Sequence, residues 1–330
     1  MPATENNLTS KVFFSYIIPT IGRASLDRAV QSVLTQHFSH ADFEIIVVND
    51  SGNPLPAAGW QASPRVTIIH TNKCERSFAR NSGAAVARGR YLAFLDDDDW
   101  ILPDALENFW QLANQFPNAA WLYGGIRIVD EHHAPLAEIN SGLNGNRFAQ
   151  FMGGAWAPIQ SSMIQARTFF EIGGFNPFIS GTEDEDLCRR TALNGEFANT
   201  PEIVACLYRG QIWSTSTNYQ RGPEDTKYSR DLILSKPNVF RRLLSSAHSS
   251  YWHGRILRVY FSTIAWNIKK KRFFTALSRL LYSLAAIAMS LPHVFSAEYW
   301  QGVRADHVPE SLHFVIKAYE QRMKHRPQTG

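Results

Sequence analysis

Residues 79–100 read ARNSGAAVARGRYLAFLDDDDW, and this stretch changes character twice in a way that decides the fold. Ser77–Ala87 has helical patterning, Gly89 breaks it, and Tyr91–Leu95 is an unbroken apolar run of strand length that ends on Asp96-Asp97-Asp98-Asp99. A buried strand that empties into a polar cluster is the unit from which α/β sheets are built. Toward the N-terminus the same alternation recurs. Val12–Pro19 is a β-branched and aromatic strand, followed by a helix that Ser25 or Asp27 can cap, with Leu26, Ala29, Val30, Val33 and Leu34 as its apolar stripe. Phe43–Val48 is a second strand, ending at Asn49-Asp50-Ser51-Gly52, and Val66–His70 a third. Strands alternating with helices at this spacing predict an α/β fold with a mostly parallel, Rossmann-like central sheet flanked by helices. Ligands of such sheets collect at the carboxyl ends of strands, where the clusters around Thr20, Asp50 and Asp96 stand.

On the C-terminal side the pattern turns mixed between Ala120 and Phe178, punctuated by glycine pairs at 124–125, 153–154 and 173–174. Gly181–Gly195 reads as a loop entering a helix whose first turn is acidic, which suits the positive end of the helix dipole. From about Thr226 the chain is helical and basic. Residues 226–330 hold 17 Lys and Arg against 5 Asp and Glu, while residues 1–225 hold 16 against 24, so a body of charge −8 carries a tail of +12. The expected organisation is a domain over 1–225 and a mainly helical C-terminal region over 226–330. With 330 residues, 45% hydrophobic, the chain has ample material for a core, which excludes a collagen-like, disordered or disulfide-stapled class. Its three cysteines, Cys74, Cys188 and Cys206, are far apart and form no CxxC pair, so neither a zinc site nor a disulfide framework is expected. The first residues, MPATENNLTSK, lack the pattern of a secretory signal, and the expected location is the cytoplasm.

Two acidic clusters carry chemistry. Four consecutive aspartates repel one another unless a cation or strong donors compensate them. One reading is a solvated turn that caps the helix following at Pro103; the other is a hard-oxygen site for Mg²⁺ or Mn²⁺ holding a substrate's phosphates. An EF-hand is disfavoured, because Trp100 stands where spaced ligands and a glycine are needed, whereas an aspartyl-phosphatase nucleophile is a further reading of this cluster alone. The second cluster, Glu183-Asp184-Glu185-Asp186, is ordinary for a helix start. Coupled to a cation site, it also offers a carboxylate able to take a proton from an attacking hydroxyl.

YIIPTIGR (16–23), SVLTQ (32–36), FEIIVVNDSG (43–52), ARNSGAAVARGRYLAFLDDDDW (79–100), IGGFN (172–176) and EDEDLCRR (183–190) follow one another in an order and spacing that resemble the family-2 inverting glycosyltransferases of GT-A fold. The resemblance runs from about Val12 to Ser216. It implies a nucleotide-sugar donor, a UDP-sugar favoured, and a glycan or lipid-linked hydroxyl acceptor. It implies that Pro19, Thr20, Arg23, Arg80 and Asn81 line the nucleotide-sugar site, that Asp50 recognises the base, and that Asp96 and Asp97 belong to the DxD segment with Asp98 as direct metal ligand. By the same resemblance Asp184 is the catalytic base and Glu183 supports it. Each position has a plainer reading beside it: Thr20 as a helix cap, Arg80 as a salt-bridge partner, Gly173-Gly174 as a turn, and Trp156, Trp213 and Tyr208 as core or wall rather than sugar platforms. A protein that keeps the fold and binds nucleotide sugars without turnover is the alternative function.

The sequence also departs from the family. Gly210 stands where a histidine is common, which leaves Arg209 as the candidate for a late phosphate contact, and the QxxRW motif of processive synthases is absent, so transfer of single sugars is expected. In the tail, Lys269-Lys270-Lys271-Arg272 precedes 18 residues, Leu280–Ala297, without a charged Asp, Glu, Lys or Arg. Peripheral contact with an anionic membrane surface is the expectation; a packed appendage or oligomer contact, and a true span, are the other readings. No nucleic-acid motif accompanies the charge, and no nucleic-acid partner is expected.

Overall fold

The computed structural model describes residues 12–179, 181–209 and 222–305, and the chain divides into two compact units. The first comprises residues 1–146 and 157–226, the second residues 147–156 and 227–330. The break beside residue 226 is where the sequence changes composition. Arg147–Trp156 stands with the C-terminal unit although it lies far away in sequence.

In the first unit the chain runs through β1 (Val12–Thr20), α1 (Leu26–Leu34), β2 (Asp42–Asn49), β3 (Val66–His70), α2 (Arg76–Val86), β4 (Tyr91–Phe94), β5 (Trp100–Ile101), α3 (Ala105–Gln115), β6 (Trp121–Val129) and β7 (Pro135–Ile139). After α4 (Phe148–Met152), which belongs to the second unit, it continues with β8 (Ser162–Gln165), α5 (Ala166–Glu171), α6 (Glu183–Asn194) and β9 (Phe197–Tyr208). The strands form one sheet in the order β3-β2-β1-β4-β8-β6-β9-β5, with β7 on β6. From β3 to β4 every pairing is parallel. Beyond β4 the sheet is mixed: β8 lies antiparallel between β4 and β6, β6 and β9 are parallel, and β5 and β7 pair antiparallel at the margin. The change comes where the sequence stops alternating strand with helix.

Burial explains why these segments are strands. Ile17, Ile18, Ile45, Val47, Val48 and Leu92 are fully or almost fully inaccessible, as befits β-branched and leucine side chains in strands covered on both faces. Pro19 is tolerated inside β1 because the β1–β4 ladder ends at Ile17 and Phe94, and alternation places the missing N–H on that vacated side, while Thr20 O still accepts from Asp50 N just past the end of β2. Above β1 and β2, α2 comes so close that a Cβ on Gly83 would stand 2.4 Å from Ile17 Cγ2 and 2.8 Å from Val48 Cγ2.

Helix starts differ in detail from expectation. Ser25 occupies the N-cap of α1, but its side chain makes no capping bond, being held in helical φ/ψ. The N-terminus of α2 is satisfied instead by the Glu75 carboxylate, which accepts from Ser77 N.

The second unit holds α4, most of α7 (Gly222–Leu234), α8 (Val239–Leu244), α9 (Ser249–Lys269), α10 (Phe273–Ser290) and α11 (Ala297–Arg304). The long α9 is its spine, packed by α4, α10 and α11. A Cβ on Gly254 would fall 2.0 Å from Tyr299 O, so only glycine permits α11 to lie so near. Arg255 is buried in this unit and its Nε donates to Gly153 O at 2.8 Å.

Candidate active site

The carboxyl ends of β1, β2 and β4 bring the predicted polar clusters to one edge of the parallel half-sheet. Leu95 N bonds to Ile17 O, and the chain then turns through Asp96–Asp99, closed by the bond from Asp99 N to Asp96 O. Each of the four carboxylates accepts a hydrogen bond. Asp96 accepts from Arg80 Nη2 at 2.6 Å and from Gln160 Nε2 at 3.1 Å. Asp97 accepts from Thr20 Oγ1 at 2.6 Å and from Arg23 Nη1 at 2.8 Å. The same Arg23 nitrogen reaches Asp98 at 3.0 Å, and Asp99 accepts from Tyr208 N at 2.8 Å. Arg28 braces the turn from below, donating to Asp98 O and lying over the Trp100 ring at 3.9 Å.

This arrangement corrects the reading of the four aspartates as a solvated helix cap. Asp97 and Asp99 are buried, and the next helix, α3, begins only at Ala105, with Asp104 at its N-cap. Nor does Thr20 cap α1: its hydroxyl donates to Asp97 and accepts from Gly22 N.

The electrostatics of the four differ. Burial raises the Asp96 carboxyl, but the charge and hydrogen bond of Arg80 outweigh it, so the net shift is downward. Burial pushes Asp97 up against the opposing Thr20 and Arg23 contacts. Burial and then the nearby Asp96 charge push Asp98 up, and burial drives Asp99 well above the carboxylate range although Arg209 opposes it. Carboxylate oxygens of Asp96, Asp98 and Asp99 lie within 4.8 Å of one another. This is a hard-oxygen donor set of the kind that Mg²⁺ or Mn²⁺ takes.

Arg80 joins this cluster to the second one. It sits on the inner face of α2, 2% exposed. Nη2 holds Asp96, and Nη1 donates to Glu183 Oε1 at 3.0 Å. Arg76, one turn earlier on α2, donates to the same Glu183 oxygen at 3.2 Å. Glu183 is the first residue of α6; burial pushes its carboxyl up despite the two arginines. Asp184 follows in the first turn, half-buried, its Oδ1 accepting from Glu185 N at 2.8 Å. Behind it the EDEDLCRR pattern resolves into pairs four residues apart, Glu185 with Arg189 and Asp186 with Arg190.

Asp50, at the end of β2, accepts through Oδ1 from Thr71 Oγ1 at 2.7 Å and Cys74 N at 2.9 Å. Asn81 is committed to the backbone of Phe175, donating to its carbonyl and accepting from its N–H, both at 2.9 Å. This clamps α2 to the Gly173-Gly174 turn, where both glycines have positive φ, +85° and +65°. Tyr208 packs beside His133 and under Arg28, as a wall residue does, and Trp156 stands half-buried in the other unit. Arg209 Nη1 donates to Tyr208 O. Residues 210–214, including Gly210 and Trp213, lie outside the described residues.

Sequence reasoning did not single out Arg76, Gln160 or Arg28. Arg76 was reachable, since it lies four residues before Arg80 and therefore on the same helix face. Gln160 and Arg28 carry no local pattern.

Residues 15–177 match the family described as glycosyl transferase family 2. The chain is 35% identical over 272 residues to the uncharacterized glycosyltransferase YibD of Escherichia coli, covering 74% of this chain and 73% of that protein. It is 27% identical over 292 residues to an uncharacterized glycosyltransferase of Haemophilus influenzae, covering 83% and 97%. Among solved structures, residues 1–349 of TarS of S. aureus, in complex with UDP-GlcNAc, superpose with a TM-score of 0.61 at 16% identity, covering 88% of this chain and 92% of that one.

Proposed function

The chain belongs to glycosyl transferase family 2, and from that premise we propose that it transfers single sugars from a UDP-sugar to a hydroxyl acceptor in one inverting, cation-assisted displacement. The observation that supports the reading is the double grip of Arg80, which holds the aspartate cluster beside the acidic first turn of α6. Donor activation and proton removal need such neighbours. The UDP-GlcNAc bound by a protein of the same fold supports the choice of donor.

In this reading Asp50 and the β1 end around Pro19, Thr20 and Arg23 receive the nucleoside, and Asp96, Asp97, Arg80 and Asn81 hold the shape of the pocket. Asp98, with Asp96 and Asp99, would hold Mg²⁺ or Mn²⁺. When bound, the ion supplies positive charge to a departing diphosphate. Asp184 removes the proton from the acceptor hydroxyl, whose oxygen bonds to the anomeric carbon as the nucleotide oxygen leaves from the opposite face. Glu183, fixed by Arg76 and Arg80, holds the first turn that presents Asp184. The acceptor is a lipid-linked or cell-surface glycan intermediate, and the reaction runs in the cytoplasm, in keeping with three free thiols at Cys74, Cys188 and Cys206.

Titration calorimetry with UDP-, GDP- and dTDP-sugars, with and without Mn²⁺, tests this directly. A UDP-sugar that binds in the presence of Mn²⁺ and weakens on chelation is expected. Absence of binding by every nucleotide sugar overturns the proposal.

A further inference from the structure

The second unit carries a surface that water does not suit. Helix α10 packs on α9 and buries only Ala276, Ser283, Ala286 and Ser290, all small. Its large side chains point the other way: Phe274 is 90% exposed and Leu281 61%, with Phe273, Leu277 and Leu284 also outside. A contiguous apolar surface of this kind marks an interaction site. Next to it lies the turn between α9 and α10, Lys269-Lys270-Lys271-Arg272, all exposed.

Charge identifies the occupant. Between Asp231 and Glu298 there are ten Lys or Arg and no Asp or Glu. A second copy of this chain would bring the same sign of charge against itself, whereas an anionic surface is attracted by it. Phe273, Phe274, Leu277, Leu281 and Leu284 share one broad face of α10, opposite the small buried residues, as a helix lying in the plane of an apolar medium requires. Lysine stems can lie along the hydrocarbon boundary while their ammonium groups meet phosphates.

We propose that the α9–α10 pair docks in the plane of an anionic phospholipid bilayer, with Phe273, Phe274, Leu277, Leu281 and Leu284 in the acyl boundary and Lys269–Arg272 on the headgroup phosphates. Phe273–His293 is long and apolar enough to cross a membrane. Crossing is nevertheless disfavoured, because α10 is packed to α9, which carries Arg255, Arg258 and Asn267, and insertion of the pair would drag the four-cation turn through hydrocarbon. The docking is a property of the second unit and does not depend on sugar transfer.

The test is sedimentation of the full chain with vesicles of phosphatidylcholine alone or mixed with phosphatidylglycerol. Pelleting with the mixed vesicles only, reversed by high salt, is expected. Neutralising the turn (Lys269→Gln, Lys270→Gln, Lys271→Gln, Arg272→Gln) should weaken binding by about a hundredfold or more at low salt. Phe274→Ser with Leu277→Ser and Leu281→Ser should abolish it, while UDP-sugar binding by both variants stays as in the parent and reports that they are folded. No pelleting of the parent, or equal pelleting with neutral vesicles, overturns the proposal. So does a parent that is dimeric in solution and made monomeric by the serine variant without ever binding vesicles. Protein that resists carbonate extraction from the mixed vesicles overturns the in-plane arrangement in favour of a span.

Discussion

At the scale of single residues, Arg80 is a buried charge that joins two acidic clusters. A guanidinium presents its donors in a planar fork, so one side chain can hold Asp96 and Glu183 at 2.6 and 3.0 Å. Burial disfavours its charge, yet the two carboxylates hold it above the ordinary arginine range. Removing it strands two acidic groups in a poorly hydrated place. Arg80→Ala is therefore expected to destabilise the fold by about 3–5 kcal/mol, measured by urea denaturation. Arg80→Lys keeps the charge but cannot hold both partners, and should fall between parent and alanine variant; a lysine variant equal to the parent would contradict the two-armed role. The acidic residues themselves were legible in the sequence, because runs of like charge at strand ends and helix starts are conspicuous. Their counter-charges were less so. Gln160 meets Asp96 from 64 positions away, and no local pattern announces it.

At the scale of elements, the parallel half of the sheet could be read almost residue by residue. Val66–His70 has the expected bounds, and Phe43–Val48 falls short of β2 by one residue at either end. These strands are covered on both faces, so their sequences are nearly pure apolar runs. The second half is harder. β5 has two residues and β8 four, too few for any period, and β9 contains Pro201, which argues against a strand; the β6–β9 register skips from Asn199 to Ile203 and so accommodates it. Helix α2 is the element on which the site depends, since it carries Arg76, Arg80 and Asn81. Its seating rests on Gly83. Alanine is the better helix former, but here its methyl group would collide with the stiff Ile17 and Val48 side chains. Gly83→Ala should cost about 1–3 kcal/mol in thermal or urea unfolding, and a gain in stability would contradict the packing described.

At the scale of the whole molecule, the net charge of +4 conceals two regions of opposite character, and the structure divides the chain beside the same place. The sequence marks that place by its change of composition. It does not mark the assignment of Arg147–Trp156 to the second unit, since Phe148, Ala149, Phe151 and Met152 are buried and read locally like any core segment. The acidic unit gathers donors and carboxylates suited to a cation and a nucleotide; the basic one exposes an apolar helix beside four cations. The central claim is that the first unit catalyses sugar transfer with Asp184 as the base. The most direct measurement compares the parent with Asp184→Asn for transfer from a UDP-sugar in the presence of Mn²⁺, alongside calorimetric binding of the same donor. The account predicts that kcat falls by about 10²–10⁴-fold while the donor Kd is unchanged, and transfer at the parent rate by Asp184→Asn would contradict it.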